Sequence, residues 1–264
     1  MTTKPVERFP LPAFLILTPL LSLGIALFLP LPVEIIALLM VLIPVTLPIL
    51  LTALAEGGKG VAELFKKLFR WRVSLKWYAL AAGTPLAIIL ICSLLGYLIG
   101  WSPSVTFHIP EPAMLITATI VSLLAAVFEE FGWRGYALPG LLKHRSALVS
   151  ALLIGITWGL LHIGLGLRDN RPWLPTFLAP VAISVVLTWL FVQTRGSLTM
   201  AVLYHFVIDA SPQFLLHGIT TAQNIWLQVI VSFAAAFILI LIFGVNLRNE
   251  SVQSFAVSAP GKID

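Results

Sequence analysis

The 264-residue sequence predicts an all-α, polytopic membrane protein with about eight transmembrane helices around a polar cavity. Three observations carry that prediction. Hydrophobic residues make up 59% of the chain and charged residues only 10%, whereas soluble domains hold about 25% charged residues. The apolar residues gather in runs of roughly 20, the helical length that crosses a hydrocarbon layer. Pro and Gly clusters mark most of the joins between runs. No stretch is polar enough to form a separate soluble domain.

The first run, Leu11–Leu29, follows the short segment MTTKPVERFP. It lacks a small-residue cleavage site after it, so the sequence predicts a retained helix rather than a signal peptide. Val33–Ala55 follows across Pro30 and Pro32, and the two runs could form a tight hairpin. Between it and the third run lies Val61–Trp77, in which Val61, Leu64, Phe65, Leu68 and Phe69 fall at helical spacing among lysines and arginines. That pattern predicts an amphipathic helix on the inner membrane surface. The third run, Trp77–Gly100, contains Cys92, the single cysteine. One cysteine forms no internal disulfide and excludes a multi-cysteine metal site; Cys92 reads as a small hydrophobe.

The remaining runs are Ala113–Pro139, Ala147–Leu167, Leu174–Gln193, Leu198–Leu216 and Ile225–Val245. The organisation expected is N-terminal helices with a basic inner loop over residues 1–110, a core over 111–246, and a cytoplasmic tail over 247–264.

Charge sets the orientation. With an inner N-terminus and eight alternating spans, thirteen of the sixteen lysines and arginines fall in inner segments. The outer segments hold only Arg168 and Arg171, and Arg134 lies inside a span. Cytoplasmic loops carry such an excess, so both termini are expected in the cytoplasm, at the cell membrane if the source is prokaryotic. The net charge of +5 then reflects contact with anionic headgroups, and no nucleic-acid partner is implied. Membrane lipids are the partners it predicts.

Chemistry concentrates in three of the later runs. Glu129 and Glu130 end an otherwise uncharged stretch, and a carboxylate inside a bilayer costs roughly 2.5–3.5 kcal/mol on insertion scales. Glu130 and Arg134 are four apart and share a helix face, so they can pair. Glu129 points elsewhere and has no cation on its own helix. A carboxyl in that position can take and give a proton, as a general base or acid must. Trp158 and His162 are also four apart, so the indole can buttress the imidazole. His205 and Asp209 project side by side and could bind a metal, orient a water or stabilise an oxyanion. Each group has a plainer reading as helix-to-helix glue. Together they form a hydrolytic set in which glutamate and histidine activate water and further donors hold the oxyanion.

The spacing Glu129-Glu130-x-x-x-Arg134, Trp158-x-x-x-His162 and His205-x-x-x-Asp209 resembles the EExxxR, FxxxH and Hxxx(N/D) motifs of the CPBP or Abi family of intramembrane proteases, which includes the type II CAAX prenyl endopeptidases. The resemblance covers about Ala113 to Leu216. It implies that Glu129 and His162 activate the attacking water, that His205 and Asp209 stabilise the oxyanion, and that Glu130, Arg134 and Trp158 support the site. The implied substrate is a peptide or protein, prenylated in the namesake enzymes, entering a cavity open towards the cytoplasm. No cofactor is favoured, although Glu129, His162, His205 and Asp209 would also make a zinc site of oxygen and nitrogen ligands. Two positions depart from the motifs. Trp158 replaces Phe with similar bulk. Asp209 in place of Asn cannot donate a hydrogen bond when ionised, so it orients His205, carries a proton or ligates a metal. Two other classes stay open: an ion- or proton-coupled transporter using the polar groups as a relay, and a catalytically idle immunity or scaffold protein.

Overall fold

The computed structural model describes residues 10–66, 68, 70–216 and 219–248. Among the described residues every regular element is a helix: α1 (Pro10–Phe28), α2 (Val33–Lys66), α3 (Leu75–Leu98), α4 (Pro112–Glu130), a π-helical stretch (Phe131–Ala137), α5 (Leu138–Leu141), α6 (Ala147–Arg168), α7 (Trp173–Gln193), α8 (Leu198–Ala210), α9 (Pro212–Leu215) and α10 (Thr221–Phe243). Seven segments are long and apolar enough to cross a membrane, with α4, the π-helix and α5 counted as one. The protein is an all-α, multi-pass membrane protein. Apolar side chains such as Met114, Ile116 and Val121 on α4 stay at least 60% exposed, as residues facing hydrocarbon would.

The connections sort onto two ends of the bundle. At one end, the Arg70 guanidinium donates to the Arg195 carbonyl at 2.6 Å, and the Gln193 amide to that of Leu247 at 3.1 Å. At the other, Arg168 donates to the carbonyls of Leu29 (3.1 Å) and Leu31 (2.9 Å), and the His108 backbone N–H to Phe214 (2.9 Å). These contacts follow the alternation expected from the lysines and arginines. Arg171 and Asp169 in the same connection pair with each other, at 2.6 Å.

Two elements differ from the sequence pattern. The first part of the amphipathic segment, to Lys66, continues α2 beyond a kink at Gly57, whose φ of 70° lies in the left-handed region that favours glycine, and residues 70–74 are non-helical. The next residues are captured instead by the α7–α8 turn. Ser197 Oγ donates to the Arg70 carbonyl at 2.6 Å and Thr199 Oγ1 to that of Leu68 at 3.2 Å. Lys67 and Phe69 lie outside the described residues, as do His217 and the tail beyond Arg248. The expected span Leu198–Leu216 is a 13-residue helix that breaks at Ser211. Pro212 has no N–H to continue the ladder and starts α9 instead.

α7 forms the centre and is buried along most of its length. Glycines let its neighbours approach. A Cβ on Gly155 would sit 2.7 Å from the Val181 Cα, and one on Gly159 would meet the Phe177 carbonyl. This Gly155-x-x-x-Gly159 stripe on α6 is the small-residue contact by which membrane helices pack without a hydrophobic drive between them. Gly132 does the same against the Pro44 carbonyl of α2. Trp189 is buried in the core, with its ring 6.0 Å from that of Trp77 and 5.7 Å from that of Phe243.

Replacing Gly159 by Leu should separate α6 from α7 and lower stability by roughly 1–3 kcal/mol. Gly83→Ala, where a Cβ meets nothing within 4 Å, should be neutral or gain about 1 kcal/mol. Thermal unfolding of the purified variants in detergent checks both.

Candidate active site

α4 delivers Glu129 and Glu130 as its last two residues, and the backbone then widens into the π-helix carrying Trp133 and Arg134. Single π-turns inside α-helices are often found at functional sites. Every side chain of this turn except Tyr136 is buried. Glu130 and Arg134 are fully enclosed, and the Arg134 Nη1 donates to Glu130 Oε1 at 2.8 Å. The i, i+4 pairing expected from sequence is therefore present despite the change of helix type.

The pair reaches further than spacing alone implies. Arg134 Nη2 donates to Ser184 Oγ on α7 at 3.1 Å, and that hydroxyl donates to the Ala151 carbonyl on α6 at 2.8 Å. The guanidinium also lies over the Trp158 ring, 5.2 Å from its centroid. Glu130 Oε1 meets a second partner, His205 Nδ1, at 2.9 Å. One carboxylate oxygen thus joins the end of α4 to the π-helix guanidinium and to α8, while the guanidinium reaches α7 and, through Ser184, α6.

Glu129 is 4% exposed and has no cation bonded to it among the described residues, as its position on the helix predicts. Its Oε2 accepts a hydrogen bond from Trp158 Nε1. It lies within electrostatic reach of His162, His205 and Asp209, so the fold brings all four expected catalytic groups together. Trp158 does more than buttress His162. Its ring lies 5.9 Å from that of His162 and 5.1 Å from that of His205, and its indole N–H grips Glu129, which a phenylalanine cannot do.

The two histidines are held differently. His162 is half-buried, with Nδ1 3.0 Å from the Trp158 carbonyl. A carbonyl only accepts, so Nδ1 carries a proton, which leaves Nε2 as the lone-pair position of the neutral tautomer. His205 has a carboxylate oxygen opposite each nitrogen: Glu130 at Nδ1, and Asp209 at Nε2 at the longer distance of 3.3 Å. A ring donating at both positions is fully hydrogen-bonded only as imidazolium. Asp209 is the open member of the set, its side chain 42% exposed.

Sequence spacing did not reveal Ser184, the Glu130–His205 contact or the indole bond to Glu129. Each joins residues far apart along the chain. The Gly155-x-x-x-Gly159 stripe that brings α7 against α6 was visible and is the one signal that points towards Ser184. Elsewhere, Gln213 donates to the carbonyl of Ala210 at 2.9 Å, and His144 is exposed on its loop.

The four groups with zinc-like chemistry do not assemble as ligands. Among the described residues no three His, Cys, Asp or Glu side chains are arranged to hold a metal ion. Both His205 nitrogens, Nδ1 of His162 and one Glu129 oxygen face protein partners instead.

Comparison with known proteins bears on this same region. Residues 111–211 match the family model described as type II CAAX prenyl endopeptidase, Rce1-like. The motif resemblance holds over that segment. The chain is also 35% identical over 104 residues to the protein named CAAX prenyl protease 2 from Methanococcus maripaludis, an alignment covering 35% of this chain and 38% of that protein. The chain thus spans well under half the length of the relative it matches. The family-model match begins after α3 and takes in the helices that carry the polar residues.

Removing one member of a buried ion pair leaves the other uncompensated and costs roughly 3–5 kcal/mol. Arg134→Ala should therefore destabilise by about that amount, and Ser184→Ala by about 1 kcal/mol. Chemical denaturation in detergent would show the order, and an Arg134→Ala protein as stable as wild type would rule out the cluster as a structural anchor.

Proposed function

We propose that the protein is an intramembrane endopeptidase that hydrolyses a peptide bond with water activated by Glu129 and His162. The observation that carries this reading is the Glu129 carboxylate, buried, free of a bonded cation, gripped by Trp158 and grouped with His162, His205 and Asp209. The match of residues 111–211 to the CAAX endopeptidase model supports the reaction class.

The steps follow from the hydrogen bonds. A water placed between Glu129 and Nε2 of His162 loses a proton to the carboxylate and attacks the scissile carbonyl. The oxyanion takes a hydrogen bond from Nε2–H of His205, which the long contact to Asp209 leaves able to shift. Protonated Glu129 then returns its proton to the leaving amine, and the peptide bond breaks. Asp209 orients the imidazole and Glu130 fixes its far side, so this aspartate has no need to donate. Glu130, Arg134 and Trp158 hold the reacting groups in place. Asp209 is the exposed residue of the set and lies near the Ser211 break, which supports entry from that side rather than through the basic face expected from sequence.

The substrate proposed is a membrane-delivered peptide or protein, with a prenylated CAAX tail as the first class to test. Both termini are assigned to the cytoplasm, because the basic residues collect at the end of the bundle where Arg70, Arg195 and Leu247 meet. The proposed reaction uses no metal.

The test is cleavage of a quenched fluorescent farnesylated CAAX peptide by the purified protein. Glu129→Gln should lower kcat by about 10²–10⁴, with the folded state kept. Trp158→Phe keeps a ring and loses one bond to a charged group, worth roughly 1.5–3 kcal/mol. It should lower kcat about ten- to a hundredfold with a smaller change in KM. Exhaustive chelation should leave the rate unchanged. Wild-type rates from Glu129→Gln would sink the mechanism, and loss on chelation restored by zinc would overturn its metal-free form.

A further inference from the structure

At the opposite end of α5 from the π-helix, away from the carboxylates, the chain forms a cavity of about 1450 Å³. Its walls are the end of α2, the segment leading into α3, the end of α5, the α7–α8 turn and Arg248. Arg70, Arg72, Lys76, Lys143, Arg195 and Arg248 line it. The acidic lining residue, Glu63, is taken up by Lys66. Among the described residues none of the other six cations has a carboxylate within ion-pair distance. A concavity lined by one sign of charge focuses its field and concentrates counter-ions.

The same cavity has an apolar floor that includes Val73, Trp77, Leu142 and Phe191. Its surroundings suit the boundary between headgroups and hydrocarbon. Arg72 lies over Trp71 at 5.5 Å and Lys76 over Trp77 at 5.2 Å. Trp71 is 55% exposed and Leu75 81% exposed. A tryptophan paired with a cation at the end of a membrane helix belongs at that level. A soluble acidic peptide would use the cations and leave the apolar floor and rim idle. A phospholipid uses both.

We propose that this cavity is a binding site for an anionic phospholipid, its phosphate held by the six cations and its acyl chains running over Val73, Trp77 and Leu142 onto the flank of the bundle. Basic pockets between membrane helices on the cytoplasmic side suit such headgroups. The site is linked to α8, because the segment that lines it is bonded to Arg195, Ser197 and Thr199 just ahead of the helix carrying His205. Occupancy is therefore expected to stiffen the start of α8.

The experiment titrates the purified full chain in detergent with dioctanoyl phosphatidylglycerol, dioctanoyl phosphatidylcholine, glycerol phosphate and an oligoglutamate peptide. Binding is read as thermal stabilisation and as affinity. Only phosphatidylglycerol is expected to bind tightly and raise Tm. Lys143→Glu with Arg248→Glu should weaken it about thirtyfold at roughly 1 kcal/mol per cation. The milder Lys143→Gln with Arg248→Gln should weaken it in the same direction, in case reversal perturbs folding. Lys59→Glu with Arg145→Glu removes equal charge from outside the cavity and should leave affinity within a few-fold. Equal binding of phosphatidylcholine, wild-type affinity in a folded cavity variant, or glycerol phosphate binding as tightly as the lipid would each overturn the proposal. Tighter binding of oligoglutamate than of phosphatidylglycerol would overturn it in favour of an acidic peptide.

Discussion

The structure depends on one enclosed ionic junction. Glu130, Arg134 and His205 meet where almost no solvent reaches, on segments that must cross an apolar medium. Isolated, each group would be costly there. Joined, they cross-link four elements: α4 supplies the carboxylate, the π-helix the guanidinium, α8 the imidazole, and α7 the hydroxyl of Ser184. The bonding is incomplete: Glu130 Oε2 and Arg134 Nε are buried with no partner among the described residues. An internal water meets that need in many buried polar sites.

That junction leaves Glu129 free for chemistry. The two neighbouring glutamates have the same side chain and opposite circumstances. One is locked between a guanidinium and an imidazole; the other is held at one oxygen by an indole and lies within electrostatic reach of His162 and Asp209. The division comes from helix geometry, since adjacent residues on a helix point about 100° apart. Substituting Trp for Phe in the family motif adds a donor to this arrangement. The substitution conserves bulk and changes the hydrogen bonding of the carboxylate beside it.

The bundle is arranged to bring short polar segments together. α8 is too short to cross the hydrocarbon fully, and its break at Ser211 leaves Asp209 at an open edge. α6 and α7 meet through glycine, which brings Ala151 and Ser184 within reach of the arginine. Charge is divided between two places: the enclosed junction in the bundle, and the unpaired cations around the cavity at one end. The first is balanced by carboxylates within the chain. The second has no such balance among the described residues, which is why its counter-ion is sought in the membrane.

Composition and run length alone determined that the chain is a helical membrane protein, because a bilayer admits only segments that satisfy their own backbone. The i, i+4 pairs Glu130–Arg134 and His205–Asp209 were equally legible, since helix geometry makes them neighbours whatever surrounds them. The isolation of Glu129 from a cation followed from the same geometry. Tertiary structure alone decided which helix meets which. The Trp158–Glu129 bond spans 29 residues and the His205–Glu130 bond 75, and no local rule sets such distances. It also decided where helices end. The pattern from Val61 to Trp77 is helical in its spacing, yet residues 70–74 are non-helical, with Ser197 and Thr199 bonding the backbone carbonyls of Arg70 and Leu68. A hydrogen bond offered from another helix outweighs a propensity worth at most about 1 kcal/mol per residue.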